Sequence, residues 1–481
     1  MQFHSTRGSA PSVNSARAVL QGLAADGGLY LPETLPAFDW KRCVGSDTLS
    51  MATQILSALL PDIPDMPLLV DRAYRGKFET DALTPTVRVG NFHVLELFCG
   101  PTSAFKDVAL SMLPQLMTAS REATGMQEEI LILTATSGDT GKAALVGFRD
   151  VPGIRICVFY PDGGVSQVQR RQMVSQEGGN VTVCAVRGNF DDAQTGVKEI
   201  FTACQNRELP FRLSSANSIN IGRLAPQITY YFAAYRDLLE NGTIQMGEEV
   251  NFSVPTGNFG DILAGYLAKQ LGLPAGRLIC ASNANNVLTD FIRTGTYDRR
   301  RPLHKTQSPS MDILVSSNLE RLLYLMSGDA ALVASLMHQL STQGHYTVPQ
   351  ELLAKIQEAF WAGCCDDAAA ADAIGRVWKD HKYLCDTHTA AGWAVAEDYV
   401  NQTDDTRPMV VLSTASPYKF PAAVLSAIGG DGSGDEFTQM ERLQALTGVT
   451  IPENLSGLRA KPERHTAVID KTEMLDFVLN L

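Results

Sequence analysis

No stretch of this chain approaches the roughly 18 to 20 apolar residues that cross a bilayer, so a membrane-spanning helix is not expected. A basic stripe is missing too: 40 lysines and arginines face 52 aspartates and glutamates, for a net charge of −12. The densest basic cluster, Arg299-Arg300-Arg301, is short and follows a Tyr-Asp turn, whereas nucleic-acid binding asks for a broad positive footprint. A small basic pocket for an anion remains allowed. The nine cysteines form no CxxC pair and their number is odd, which argues against a closed disulfide framework. Several, such as Cys157 between Ile156 and Val158, sit in apolar strand-like runs and read as reduced packing residues of a cytoplasmic protein. The opening MQFHSTRGSAPS lacks the basic-then-apolar order of a signal peptide. Internal repeats and metal-ligand clusters are not seen, so no metal is expected. Glycine (39) and proline (23) are ordinary for 481 residues, which excludes collagen-like and low-complexity chains.

What is present is a globular composition, 45% hydrophobic and 19% charged, long enough for several domains and a cleft between them. Residues 1–90 read as a prelude, with helices over Ser15–Leu23 and Thr48–Leu60 and no obvious chemistry. From about 92 to 280 strand and helix patterns alternate, which predicts parallel sheets with crossover helices. Within this run the expectations include strands at Phe92–Phe98, Glu129–Thr134, Ile154–Tyr160, Val181–Val186 and Val250–Val254. They also include helices at Ala104–Met117, Thr140–Phe148, Ser166–Gln176 and Gly260–Leu271, and one long helix at Arg223–Leu239. Residues 316–400 read as mostly helical, Met409–Leu412 as one more strand, the GGDGSG run at 429–434 as a flexible linker, and 437–481 as a small appendage.

Four polar loops each follow a strand, where open α/β sheets bind ligands. The first is Gly100-Pro-Thr-Ser-Ala-Phe-Lys-Asp107. A helix dipole disfavours a cation at a helix start, which would lower the pKa of Lys106 and suit a nucleophile or base. A surface lysine paired with Asp107 would explain the loop equally. The second, Thr136-Ser-Gly-Asp-Thr-Gly141, exposes backbone N–H groups at a helix start and suits a carboxylate or phosphate, but a plain cap by Asp139 or Thr140 fits as well. In the third, Thr256-Gly-Asn-Phe-Gly-Asp261, two glycines three apart let backbone close on a phosphate, or simply make a turn. The fourth, Ser413-Thr-Ala-Ser-Pro-Tyr-Lys-Phe420, offers a hydroxyl to a ring nitrogen, or caps the following helix. A nucleotide-binding P-loop at 137–142 fails on glycine spacing and on Ala143 where Ser or Thr is needed.

Together these loops resemble threonine synthase, within the fold type II pyridoxal-phosphate (PLP) enzymes. The matching pieces are GLAADGGLYLPE (22–33), SAFKD (103–107), TATSGDTGKAA (134–144), SSANSINIGRLAPQITYYF (214–232), PTGNFGDILAGY (255–266) and STASPYKF (413–420). The resemblance implies an α/β chain of the tryptophan synthase beta-like kind, two parallel-sheet domains with an N-terminal extension. The expected units are 1–90, a large PLP-binding domain from 91–129 and 213–430, a small mobile domain at 130–212, and 431–481. It implies that Lys106 binds PLP through a Schiff base. Gly257, Asn258, Phe259, Gly260 and Asp261 would cradle the cofactor phosphate, and Thr414 would bond the pyridine nitrogen. Asp139, with Ser137, Gly138 and Thr140, would sit beside the cofactor and receive the substrate carboxylate. Ser166, Arg170, Asn217, Asn220 and Arg223 are candidates for the substrate end. The implied reaction turns O-phospho-L-homoserine and water into L-threonine and phosphate, in the cytoplasm, by a monomer or homodimer with no nucleic-acid or membrane partner. A phospholyase or dehydratase on the same scaffold, or a non-catalytic relative, are the alternatives. Two departures stand out: Asp162-Gly163-Gly164 follows Tyr160-Pro161 where many relatives carry a basic residue, and SPYKF stands where many read HPAKF.

Overall fold

The computed structural model describes residues 1–136, 138–204 and 207–481. Two sheets dominate. The larger has six strands in the order Phe360–Cys364, Ala275–Ser282, Val250–Pro255, Met409–Ser413, Phe92–Glu96 and Thr86–Val89. All neighbours run parallel except the last two, which pair antiparallel. The smaller has five parallel strands in the order Ala467–Ile469, Val181–Val186, Ile154–Pro161, Glu129–Ala135 and Phe211–Ser214. Val250–Pro255 and Met409–Ser413 are buried along their whole length, the pattern of parallel strands covered by helices on both faces. The N-terminal segment adds a three-stranded antiparallel sheet and helices. It is tied to the rest by Tyr74, whose hydroxyl donates to the Val108 carbonyl at 2.9 Å.

Two helices bring the sheets together. Lys106–Thr124 follows the larger sheet's strand Phe92–Glu96, and Asp139–Phe148 follows the smaller sheet's Glu129–Ala135. Pro114 lies inside the first helix and has no N–H to give the Leu110 carbonyl. Gly147 of the second helix covers that carbonyl. A Cβ at Gly147 would lie 1.9 Å from the Leu110 oxygen, so only glycine lets the two backbones meet.

The structure differs from several sequence expectations. The long helix at Arg223–Leu239 is three pieces: Ile221–Leu224, a 3₁₀ turn at Ala225–Gln227 and a helix at Ile228–Glu240. Pro226 sits in the turn, where it donates no helical hydrogen bond. The region 316–400 contains the edge strand Phe360–Cys364 among its helices. The sequence pattern also predicts a helix over 191–206; the structure describes it as Phe190–Cys204, and the last two predicted positions lie outside the described residues. The glycine run at 429–434 is hydrogen-bonded rather than free: Gln439 Nε2 donates to the Gly432 carbonyl at 2.7 Å, and Asp435 caps the helix Glu436–Thr447. The C-terminal segment supplies the strand Ala467–Ile469 of the smaller sheet. No helix among the described residues is long and apolar enough to cross a membrane. All nine cysteines are free, and Cys364 alone among them is exposed.

Candidate active site

The first and fourth loops are stitched into one unit. The Phe105 N–H donates to the Thr414 carbonyl at 2.9 Å, and the Ser416 N–H to the Ser103 carbonyl at 3.1 Å. Lys419 Nζ reaches the Thr102 carbonyl at 3.1 Å. Asp107 does not pair with Lys106. It is buried and turned into its own loop, accepting from Thr102 N–H (2.8 Å) and Thr102 Oγ1 (2.5 Å). Burial pushes its carboxyl up to about 6 against those hydrogen bonds. With Asp107 occupied in this way, the surface-pair reading of Lys106 fails.

Lys106 opens its helix and is 9% exposed. Its Nζ lies 3.2 Å from Ser310 Oγ and 3.7 Å from Asp139 Oδ2. Burial lowers its pKa to about 8; Asp139 opposes the fall, while Lys419 and Arg223 add to it. Asp139 starts the neighbouring helix and is 4% exposed. It accepts from Lys419 Nζ at 2.5 Å and from Gln169 Nε2 at 2.9 Å. Burial alone would raise its pKa, but Lys419 and Lys106 hold the carboxyl well below the usual range. Lys419 is fully buried. Arg223 is 3% exposed, with Nη1 on the Ala216 carbonyl at 2.7 Å and Nε without a partner among the described residues. Burial lowers its pKa to about 10. No carboxylate pairs with Arg223 among the described residues. Lys106 and Lys419 thus share the Asp139 carboxylate, the buried Asp107 also acts on Lys419 and the buried Asp261 on Lys106, and Arg223 is the buried cation left without a described carboxylate partner.

The third loop is the candidate cradle. Phe259 adopts φ +63°, and its ring packs on Phe360 with centroids 5.6 Å apart. The loop's carbonyls are occupied: Gly257 O accepts from Ser316 Oγ at 2.8 Å, and Asn258 O from Asn318 Nδ2 at 3.1 Å. No described residue accepts from the N–H groups of Gly257, Asn258, Phe259 or Gly260, so four donors stand free at the start of the helix Gly260–Gln270. Asp261 faces two tyrosines and lies close enough to Lys106 for the two charges to act on each other. Its Oδ1 takes the hydroxyls of Tyr230 (2.6 Å) and Tyr231 (3.0 Å), and burial raises its pKa to about 6.

The second loop is partly self-satisfied. Thr136 Oγ1 accepts from the N–H of Gly138 (3.0 Å) and of Gly141 (2.9 Å). Ser137 lies outside the described residues. Gly138 has φ +140°, and a Cβ there would strike the Gln169 side chain at 2.4 Å. Lys142 points its amine at Gln176 Oε1 (2.6 Å). Among the substrate-end candidates, Ser166 caps the helix Gln167–Val174. Arg170 is held in a two-pronged pair by Glu463, at 2.7 and 2.9 Å. The Asn220 side chain is spent on the Val19 carbonyl and the Gly222 N–H, both at 2.8 Å. Asn217 is half-buried, with its N–H on Ser215 Oγ at 3.2 Å. Only Arg223 of this group lies close enough to Lys106 for its charge to act there. Sequence reading missed Gln169, Ser310 and the contact of Lys419 with Asp139. The SPYKF motif was a signal for the last; the other two lie outside every motif.

Comparison with known proteins fits this geometry. Residues 79–415 match the family described as pyridoxal-phosphate dependent enzyme, residues 2–74 match threonine synthase N terminus, and residues 389–478 match threonine synthase, C-terminal. Threonine synthase of Pseudomonas aeruginosa is 39% identical over 482 residues, covering 97% of this chain and 98% of that one. The chain belongs to the threonine synthase family. The PLP-bound threonine synthase from Brucella melitensis superposes with a TM-score of 0.88 at 39% identity, covering 100% of this chain and 99% of that one. Human threonine synthase-like 1 is 40% identical over 479 residues, 95% of this chain, but this chain spans only 62% of its length. The fold is therefore fold type II, and PLP is the family's cofactor. The residues present fit that group. Free N–H donors suit a phosphate, the buried Arg223 with no described carboxylate partner suits an anion, and Lys106 offers an amine whose nearest carboxylate, Asp139 Oδ2, stands at 3.7 Å.

Proposed function

We propose that the chain converts O-phospho-L-homoserine and water into L-threonine and inorganic phosphate. The supporting observation is a buried amine of lowered pKa, joined through the Ser310 turn to a loop whose four N–H groups no described residue accepts from. PLP would be held by Lys106, by the N–H groups of Gly257 to Gly260 and by the Thr414 hydroxyl. When bound it supplies the electron sink that makes the substrate's α- and β-protons acidic.

Lys106 serves as the proton carrier. With a pKa of about 8, about a tenth of it is neutral at pH 7, enough for a general base that later returns the proton. It takes the α-proton at Nζ. A β-proton then leaves, the γ-carbon–oxygen bond breaks, and the departing phosphate keeps that electron pair. A proton is delivered to the γ-carbon, which becomes the methyl group; water adds its oxygen at the β-carbon and gives up one proton, which the phosphate takes, and a proton returned at the α-carbon completes threonine. Arg223, buried without a carboxylate, is suited to the substrate phosphate. Asp139, neutralised by Lys419, leaves its helix start able to receive the substrate carboxylate at the N–H groups of Asp139 and Thr140. The 130–212 unit is the part suited to close over the site and exclude bulk water. We place this activity in amino-acid biosynthesis in the cytoplasm, carried out by a monomer or homodimer.

Mixing the pure chain with PLP and phosphohomoserine tests the reading. Threonine and phosphate should form in equal amounts. Release of 2-oxobutyrate as the main product would replace this reading with a phospholyase.

A further inference from the structure

Ser310 sits in the short turn Pro309–Met311, which no motif marks, yet its Oγ is the hydrogen-bond partner of Lys106 Nζ at 3.2 Å. Two buried residues hold it there. The Ser310 N–H donates to His388 Nε2 at 3.2 Å. Nε2 is then an acceptor, so Nδ1 carries the ring proton and donates it to Asp386 Oδ1 at 2.8 Å. His388 and Asp386 are 2% and 0% exposed. Asp386 is itself anchored as the cap of the helix Thr387–Thr403, accepting from the N–H of His388 (2.9 Å) and of Thr389 (3.3 Å).

The same assembly touches the other parts of the site. The His388 ring lies against Phe420, centroids 5.0 Å apart, next in sequence to Lys419. Thr389 Oγ1 is 3.0 Å from Ser413 Oγ, beside Thr414. The Ser310 carbonyl oxygen lies 2.6 Å from where a Cβ on Gly257 would stand, so this turn forms one wall of the cradle.

We propose that Ser310 is a catalytic residue that holds the Lys106 amine, and that Asp386 and His388 are positioning residues that fix Ser310 through its backbone N–H. This deepens the functional reading and rests on Lys106 as the working amine. A hydroxyl can accept from the charged amine and donate to the neutral one, so Nζ stays in register as it takes and returns a proton. Besides the Ser310 hydroxyl, the charged groups acting on Nζ are Asp139, Lys419, Arg223 and Asp261, which the variants below leave in place.

The test is cyanate labelling of Lys106 in the full-length, cofactor-free chain, followed across pH by peptide mass spectrometry. Ser310→Ala should lower the pH midpoint of labelling by about one unit, because the charged amine loses an acceptor. His388→Leu should reproduce the shift and weaken PLP binding. His388→Gln, whose side-chain oxygen can accept the Ser310 N–H, should keep the wild-type midpoint. An unchanged midpoint in Ser310→Ala overturns the contact, and a displaced midpoint in folded His388→Gln overturns the brace. If His388→Leu does not fold, those two variants carry the test. Because labelling needs no substrate, absence of threonine formation with the shift intact would refute the reaction and leave the contact standing.

Discussion

Lys106→Met should make the cofactor-free chain more stable, and the gain should depend on pH. In the unfolded chain the lysine titrates at its ordinary value of 10.5, and in the folded chain burial brings it to about 8. Between those values the unfolded chain binds a proton that the folded chain does not, so wild-type stability rises with pH in that window. Below about 8 both states are charged and the folded state bears the whole penalty. The difference corresponds to about 3 kcal/mol at pH 7, falling to about 1.5 kcal/mol at pH 9.5. Methionine matches the length of the side chain without its charge, and Asp139 keeps its contact with Lys419. Urea unfolding of both proteins at pH 7 and 9.5 measures the difference. Equal stability at pH 7, or a gain that does not shrink by pH 9.5, would show that Lys106 is not held in a desolvated site, and the argument for it as a base at neutral pH would fall with it.

Two further substitutions address how the site is held. Lys419→Met leaves Asp139 with Lys106 as its cation; it should cost about 3–5 kcal/mol of stability and move the acidic limb of the rate profile to higher pH, since Lys106 gains a closer anion and loses a repelling neighbour; an unmoved limb would remove Lys419 from the electrostatics of Lys106. Gly147→Ala inserts a Cβ at 1.9 Å from the Leu110 carbonyl and should destabilise by about 1–3 kcal/mol while lowering turnover, because the Lys106 and Asp139 helices must separate; wild-type melting and turnover would show that the contact relaxes freely.

Much of this was legible in the sequence, for identifiable reasons. Parallel strands buried on both faces leave continuous apolar runs, and 129–135, 154–161 and 250–255 could be found from theirs. The polar loops stand out because each interrupts such a run. The strand Phe360–Cys364 was hidden in a helical neighbourhood because its five residues, Phe-Trp-Ala-Gly-Cys, lack an alternating pattern. The break at 225–227 carried a plain signal in Pro226, overridden by the helical periodicity around it. Gln169, Ser310 and His388 were invisible for a different reason. Each acts on a residue far away in sequence, through one polar atom, and nothing in local spacing marks such a contact. The candidates Arg170 and Asn220 have the right chemistry for an anion, but tertiary partners occupy both.

The smaller sheet finishes with a strand from the far end of the chain. Val181–Val186 finds its outer neighbour in Ala467–Ile469, through Cys184, Ala185 and Val186. During synthesis, that side of the sheet emerges long before its neighbour exists. Until then its backbone N–H and C=O groups lie bare and open to pairing with another nascent chain. Recombinant yield should therefore fall more steeply with temperature for a chain stopped before residue 467 than for the full-length chain, and equal yields would overturn this reading.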